Sequence, residues 1–386
     1  MLSPGIKFKP FKIKKKTKRI KSILDKLLIN PNQVLNSLDV NYNYSYDNKY
    51  LKKFKNSFNI RVIGMGGSTL GAQAIYDFLR YKIKKKFVFN DNLISSQKKD
   101  NKKFTNIIIS KSGNTTETIV NANILIKKKD KNIFITEDKP SYLNLLASKL
   151  RADIIHHNDF IGGRYSVLSE VGMLPAELMG LNPKKFKQLN FLIKKKSFIN
   201  SLISSVSATL YFIQKKKYNS IIINYDEKSE NLFKWYQQLV AESLGKKNSG
   251  ILPVVSIMPR DNHSVMQLYL DGFKNNFFTF FHVKDSKFDK IKNSNILSQQ
   301  NYLKNKNSSS ILYAQKKATE NVFMNKNIPF RSFEVKKRDE KTLGELFCFF
   351  ILETILIGKA LNINPYDQPS VELIKKETKK LLIKNI

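Results

Sequence analysis

The run Ser110-Lys111-Ser112-Gly113-Asn114-Thr115-Thr116-Glu117-Thr118 sets two serines before a glycine and two threonines after it. It follows an apolar stretch and opens a helical one. Hydroxyls and unpaired first-turn amides then converge on one point, which is chemistry for holding a phosphate without a metal. An ordinary Ser/Thr cap with a capping-box glutamate needs only one hydroxyl. A second strand-to-helix junction, Gly64-Met65-Gly66-Gly67-Ser68-Thr69-Leu70-Gly71, lets backbone approach a ligand, and its helix start offers free amides to an anion. Its glycine spacing is not the dinucleotide fingerprint, and the Gly-Lys-Ser/Thr ending of a nucleotide P-loop is missing. Taken alone, it leaves a tight turn and a sugar or phosphate contact equally open.

Four segments offer groups for proton transfer or charge stabilisation. Gly162-Gly163-Arg164-Tyr165-Ser166 carries an arginine in a lysine-dominated chain; it suits either a developing oxyanion or the surface. In Trp235-Tyr236-Gln237-Gln238-Leu239-Val240-Ala241-Glu242-Ser243-Leu244-Gly245-Lys246, Gln238 and Glu242 are four apart and share a helical face. A glutamate there can act as a base, or it can be an exposed residue paired with Lys246. Asp261-Asn262-His263-Ser264 and Asp367-Gln368-Pro369-Ser370-Val371-Glu372-Leu373-Ile374-Lys375 add a histidine and a lysine, neither distinctive alone. No histidine pair has metal-site spacing, so no metal is expected.

These groups need a scaffold. Short apolar runs at 59–65, 105–109, 131–136 and 152–156 alternate with helical stretches at 70–81, 115–126 and 142–150. A second set places strands at 220–225, 250–258, 276–283 and 330–335, with helices at 198–214, 230–244 and 262–270. Alternation of this kind predicts an α/β fold of doubly wound parallel sheets. The expected organisation is a basic, partly helical arm over 1–55 and α/β domains over 56–195 and 196–338. A helical segment over 339–386 follows, with helices at 342–360 and 371–383.

The chain holds 68 Lys+Arg against 31 acids, a net charge of +37, which raises nucleic acid or an anionic membrane as partner. The basic residues are nearly all lysine, whereas base-reading contacts favour arginine. They are scattered in short runs such as 84–86, 127–129 and 215–217, beside abundant Asn and Ile. Those three amino acids share A/T-rich codons, so compositional drift on solvated faces accounts for the charge. No specific nucleic acid and no membrane are expected. The single cysteine, Cys348, lies in an apolar run and excludes an intramolecular disulfide, which fits a reducing, cytoplasmic setting. No signal peptide is expected from the basic start.

Taken in order, the six motifs from Gly64 to Lys375 resemble the glucose-6-phosphate isomerase family over about four-fifths of the chain. That family's pattern is Gly-x-Gly-Gly-Ser, a Ser-Lys-Ser/Thr…Thr-x-Glu-Thr loop, Gly-Gly-Arg-Phe/Tyr-Ser, Glu-Ser-x-Gly-Lys, a Gln-His segment and Gln-Pro-Gly-Val-Glu-x-Gly-Lys. The resemblance implies two sugar-isomerase-type (SIS) sandwich domains, a helical carboxy-terminal segment and no cofactor. It implies Glu242 as the proton-shuttling base, Arg164 as stabiliser of the enediol charge, and His263 and Lys375 as ring-opening groups. Ser110, Lys111 (through its backbone), Ser112 and Thr115 would hold the phosphate. Gly67, Ser68, Gln238 and Gln368 would contact the sugar, and Glu117 would orient Arg164 or the helix start. A homodimer with His263 supplied across the interface is also implied. Asn262, Ser370 and Ile374 depart from the pattern, the last two replacing glycines near Lys375. A dual glucose/mannose isomerase would not be expected to carry the whole Trp235 to Lys246 helix. A non-catalytic phosphosugar-binding regulator would not need Glu242, Arg164, His263 and Lys375 together.

Overall fold

The computed structural model describes residues 2–13, 17–94, 102–284 and 290–384. The strands run β1 (Ile6–Lys9), β2 (Asn59–Gly64), β3 (Lys86–Asn90), β4 (Thr105–Ile109), β5 (Lys131–Thr136), β6 (Asp153–His156), β7 (Asn219–Asn224), β8 (Leu252–Ile257), β9 (Asn276–Val283) and β10 (Phe330–Val335). They form two five-stranded sheets, ordered β3-β2-β4-β5-β6 and β1-β10-β9-β7-β8. Every pairing is parallel except β1 with β10. The central strands are buried on both faces, as β4 and β9 are along their whole length, because helices cover both sides of each sheet. This is the expected doubly wound α/β fold.

Two strands escape the sequence reading. β3 sits in a lysine-rich stretch. β1 falls in the segment read as an arm, yet Ile6 and Phe8 point inward while Lys7 points out, and the strand closes the second sheet antiparallel to β10. Residues 1–55 are therefore not wholly an arm. The reading also misses the helices Glu170–Leu178 and Ser308–Asn325. The first is buried on nearly every side and contains Pro175, so it shows no amphipathic period.

The helix Glu340–Ala360, expected as part of a tail, is instead a central element. Nearly all of it is buried, Cys348 included, and it packs on the helices Lys196–Gln214 and Glu230–Leu244. Trp235 meets Phe347 edge-on at 4.8 Å. One hydrophobic core runs from Val62 and Ile107 of the first sheet through Leu174, Trp235 and Leu346 to Phe281 and Phe333 of the second. The helix Glu230–Leu244 is thereby fixed between the sheets, with its exposed edge beside the carboxyl end of β2. Among the described residues no helix is long and apolar enough to cross a membrane.

Candidate active site

Two glycine turns interlock at the centre of the site. β2 ends at Gly64, and Gly66 follows at φ +53°, in the left-handed region that favours glycine. A Cβ on Gly67 would lie 2.2 Å from the Gly163 carbonyl carbon and 2.5 Å from Arg164 N. Only glycine lets these backbones touch. The contact seats the turn Gly163–Leu168, and with it Arg164, against the end of β2. Ser68 is half-buried in the same short 3-10 turn as Gly67.

Arg164 is fully buried and satisfied at all its nitrogens. Nε donates to Ser243 Oγ at 2.8 Å, and Nη2 to the carbonyls of Pro365 and Asp367 at 2.8 and 2.9 Å. Nη1 donates to Glu242 Oε2 at 3.2 Å and to Gln368 Oε1. Its own carbonyl accepts from Trp235 Nε1 at 3.1 Å. Tyr165 lies beneath, its hydroxyl 2.8 Å from Ser243 Oγ and donating to the Pro365 carbonyl at 3.1 Å; burial pushes its pKa up to about 12. A guanidinium whose five donors are all engaged has one orientation.

Glu242 completes the pair. One carboxylate oxygen takes Arg164, and the other accepts from Gln238 Nε2 at 2.8 Å. The i,i+4 spacing on the helix Glu230–Leu244 sets that bond, as the sequence predicts. Arg164 has no exposed side-chain surface, whereas Glu242 keeps 25% and faces a cleft also lined by Gly66, Gln73, Asp91 and Lys234. The site thus presents a carboxylate to solvent with a fixed positive charge behind it.

The Ser110–Thr118 loop follows β4, hydrogen-bonded neighbour of β2. Ser110 is buried, its hydroxyl 2.8 Å from Thr115 Oγ1. Ser112 Oγ accepts from the Asn114 amide at 3.3 Å. Gly113 sits at φ +64°, where a Cβ would meet Ser141 Oγ at 2.1 Å. Thr115 starts the helix Thr116–Leu125 without capping it through its side chain, leaving first-turn amides open. Lys111 Nζ turns away to the Asp159 carbonyl at 2.6 Å and to Glu137 at 3.4 Å, so only its backbone remains in the loop. Glu117 stands in the first helical turn and is not among Arg164's partners, because Ser243, Glu242 and the 365–368 segment take every donor.

Two expected groups stand apart from this pair. His263 ends the short 3-10 turn Arg260–His263 after β8 and is exposed. Lys375 lies on the helix Val371–Ile383, none of whose residues is buried, and pairs with Glu372 at 2.6 Å. The sequence reading missed Ser243, Tyr165 and Lys246. Lys246 donates to the Asn364 carbonyl and to Asp367, each at 2.6 Å, anchoring the segment that bears Gln368. The Lys246 hydrogen bond also holds the Asp367 carboxyl below its usual range. Ser243 and Lys246 belong to the Glu-Ser-x-Gly-Lys motif, but their partners lie over a hundred residues away for Lys246 and 79 away for Ser243. Among the described residues no group of three His, Cys, Asp or Glu is placed to hold a metal.

The sequence and fold have relatives. Residues 48–385 match the family model described as phosphoglucose isomerase. The glucose-6-phosphate isomerase of Methanocaldococcus jannaschii is 33% identical over 371 residues, covering 89% of each chain. That of Campylobacter jejuni is 31% identical over 374 residues, covering 91% of this chain and 89% of the relative. Among solved structures, a hypothetical protein of Thermus thermophilus superposes with a TM-score of 0.81 at 21% identity, over 95% of this chain and 94% of that one. A glucose-6-phosphate isomerase of Chlamydia trachomatis gives 0.76 at 16% identity, over 98% and 88%. At such identities the superpositions bear on the fold alone, that of the sugar-isomerase sandwiches, whereas the family match and the sequence relatives carry further: this chain belongs to the phosphoglucose isomerase family.

Proposed function

We propose that this chain interconverts glucose 6-phosphate and fructose 6-phosphate by moving a proton between C2 and C1 through an enediol. The observation that carries the reading is the Glu242 carboxylate, part-exposed to a cleft and held between the Gln238 amide and the buried Arg164 guanidinium. Family membership supports it.

In this reading the phosphate binds the hydroxyls of Ser110, Ser112 and Thr115, the Lys111 backbone and the open amides of the following helix. That remote contact lays the open sugar chain across Glu242. Glu242 takes the C2 proton of the aldose, and the electron pair moves into the enediol as the C1 carbonyl oxygen gains charge. Arg164, already oriented, meets that charge without reorganising. The proton on the C2 hydroxyl passes to the C1 oxygen as the C2 carbonyl forms, and Glu242 returns its proton to C1 to give the ketose. Gly67, Ser68, Gln238 and Gln368 contact the sugar.

His263 and Lys375 assist ring opening, passing a proton between the anomeric hydroxyl and the ring oxygen. The active unit is a homodimer, with His263 of one copy serving the site of the other. The exposure of His263, which is not among the hydrogen-bond partners of its own chain's Arg164–Glu242 pair, supports that assignment. The enzyme works in the cytoplasm.

The test is a coupled assay of the purified protein without added metal, given fructose 6-phosphate and mannose 6-phosphate separately and read by glucose 6-phosphate formed. Conversion of fructose 6-phosphate alone is expected. Conversion of neither would overturn the reading.

A further inference from the structure

A buried histidine–glutamate pair brackets the Arg164 turn and takes no part in the chemistry above. His157 lies seven residues before Arg164 and Glu170 six after it, and they are 3% and 2% exposed. His157 Nε2 lies 2.9 Å from the Ile161 carbonyl oxygen, and Nδ1 3.6 Å from Glu170 Oε2. A carbonyl only accepts, so Nε2 carries a hydrogen. A neutral ring would then aim its Nδ1 lone pair at the carboxylate, two acceptors facing each other. The imidazolium removes that conflict, and Nδ1 has no hydrogen-bond partner to offer another solution.

The rest of the network fits a charged pair. Glu170 Oε1 accepts from the Tyr42 hydroxyl at 3.0 Å and the Ser45 amide at 3.3 Å. Burial alone would push the Glu170 carboxyl up, yet His157, a helix-start amide and Tyr42 together bring it below the usual range. Lys187 donates to the carbonyl of Leu168, the last residue of the Arg164 turn, and to that of Ser37, and lies 4.7 Å from the centre of the Tyr42 ring. Other charges near the pair are Asp39, beside Lys187, Glu177, beside the tyrosines, and Asp159, beside His157.

We propose that His157 and Glu170 are positioning residues, a clamp that ties the entry of the Arg164 turn at Ile161 to its exit at Glu170 and so fixes the guanidinium over Glu242. A buried ion pair adds little net stability over an apolar pair of the same size; its contribution is to geometry. The inference rests on the charge-stabilising role given to Arg164 above. Neither residue belongs to the six motifs.

The test compares Glu170→Ala, His157→Ala, the double variant and Glu170→Gln, with Arg164→Ala as reference. Each alanine variant is expected to lower kcat on the order of ten-fold, while KM for fructose 6-phosphate moves by less than about two-fold, because the phosphate loop is untouched. The double variant is expected to be no worse than either single, since the two act as one unit. Glu170→Gln still accepts from Tyr42 and can donate to a neutral His157 Nδ1, so it keeps near-normal kcat. Unchanged kcat with only a lowered Tm, or additive losses in the double variant, would overturn the clamp. If Arg164→Ala itself keeps full kcat, the role of Arg164 fails; if it collapses while Glu170→Ala does not, the clamp alone fails. Should the alanine variants not fold, nitrogen NMR of the His157 ring in the unaltered protein decides. A hydrogen on Nδ1, facing Glu170, is the expected result, and a bare Nδ1 would overturn the clamp.

Discussion

Gly67→Ala isolates the contact on which the site's geometry depends. The added methyl would lie 2.2 Å from the Gly163 carbonyl carbon and 2.4 Å from its oxygen. Carbon contacts relax only near about 3.5 Å, so the two turns must part by more than about an ångström. Both partners are backbone, and no rotamer can give way. Overpacking of this kind costs on the order of 1–3 kcal/mol of stability. The larger effect falls on chemistry, because Arg164 is carried away from Glu242, and a misplacement of about 1 Å can cost roughly 10²-fold in turnover. Steady-state kinetics with fructose 6-phosphate and a thermal melt read both. The control is Gly162→Ala, whose Cβ would meet only Arg164 Nη1 and the Tyr366 carbonyl, at 3.9 Å, and which should leave stability nearly unchanged. A Gly67→Ala protein with kcat within about three-fold of the original would refute the reasoning.

Two further predictions concern stability. Glu353→Ala leaves Arg331, whose guanidinium bonds Glu353 and Thr279 in the core, buried without its counter-charge; a loss of about 3–5 kcal/mol in denaturant unfolding is expected, and less than about 1 kcal/mol would contradict the pairing. Lys187 is held down to about 7 by burial, against 10.5 when unfolded. The folded form binds fewer protons than the unfolded chain between those values, so the cost of this amine is full below about pH 7 and fades as pH rises to 10.5. Melting across that range should therefore show the original protein gaining on Lys187→Met as pH rises, whereas parallel curves would place the amine in water.

Local signals carried most of the scaffold. β4, β5 and β9 hold apolar runs with clear ends, β10 sets Phe330, Phe333 and Val335 among polar residues, and the bounds of all four follow from the residues alone. β1 did not stand out, since a four-residue strand has only two inward positions and its stability comes from pairing with β10, over three hundred residues away. The helix Glu340–Ala360 was legible as a helix and not as the core of the molecule, because burial on all sides erases the amphipathic period that reveals a partner. The same holds for the site. Gln238 and Glu242 follow from helical spacing, and the hydroxyl loop from its composition. The five bonds of Arg164 do not, since they join segments near residues 164, 243 and 365 that only the fold brings together. His157 and Glu170 gave no signal for the same reason.

Proton exchange at the substrate tests the assignment of Glu242 most directly. Fructose 6-phosphate is incubated in deuterated water with the original protein and with Glu242→Gln, and deuterium at C1 and C2 is followed by NMR alongside sugar-phosphate binding. The account predicts isomerisation with some solvent deuterium incorporated by the original protein. In Glu242→Gln it predicts neither isomerisation nor exchange, with binding retained. Exchange or turnover persisting in Glu242→Gln near the original rate would contradict it and move the base elsewhere.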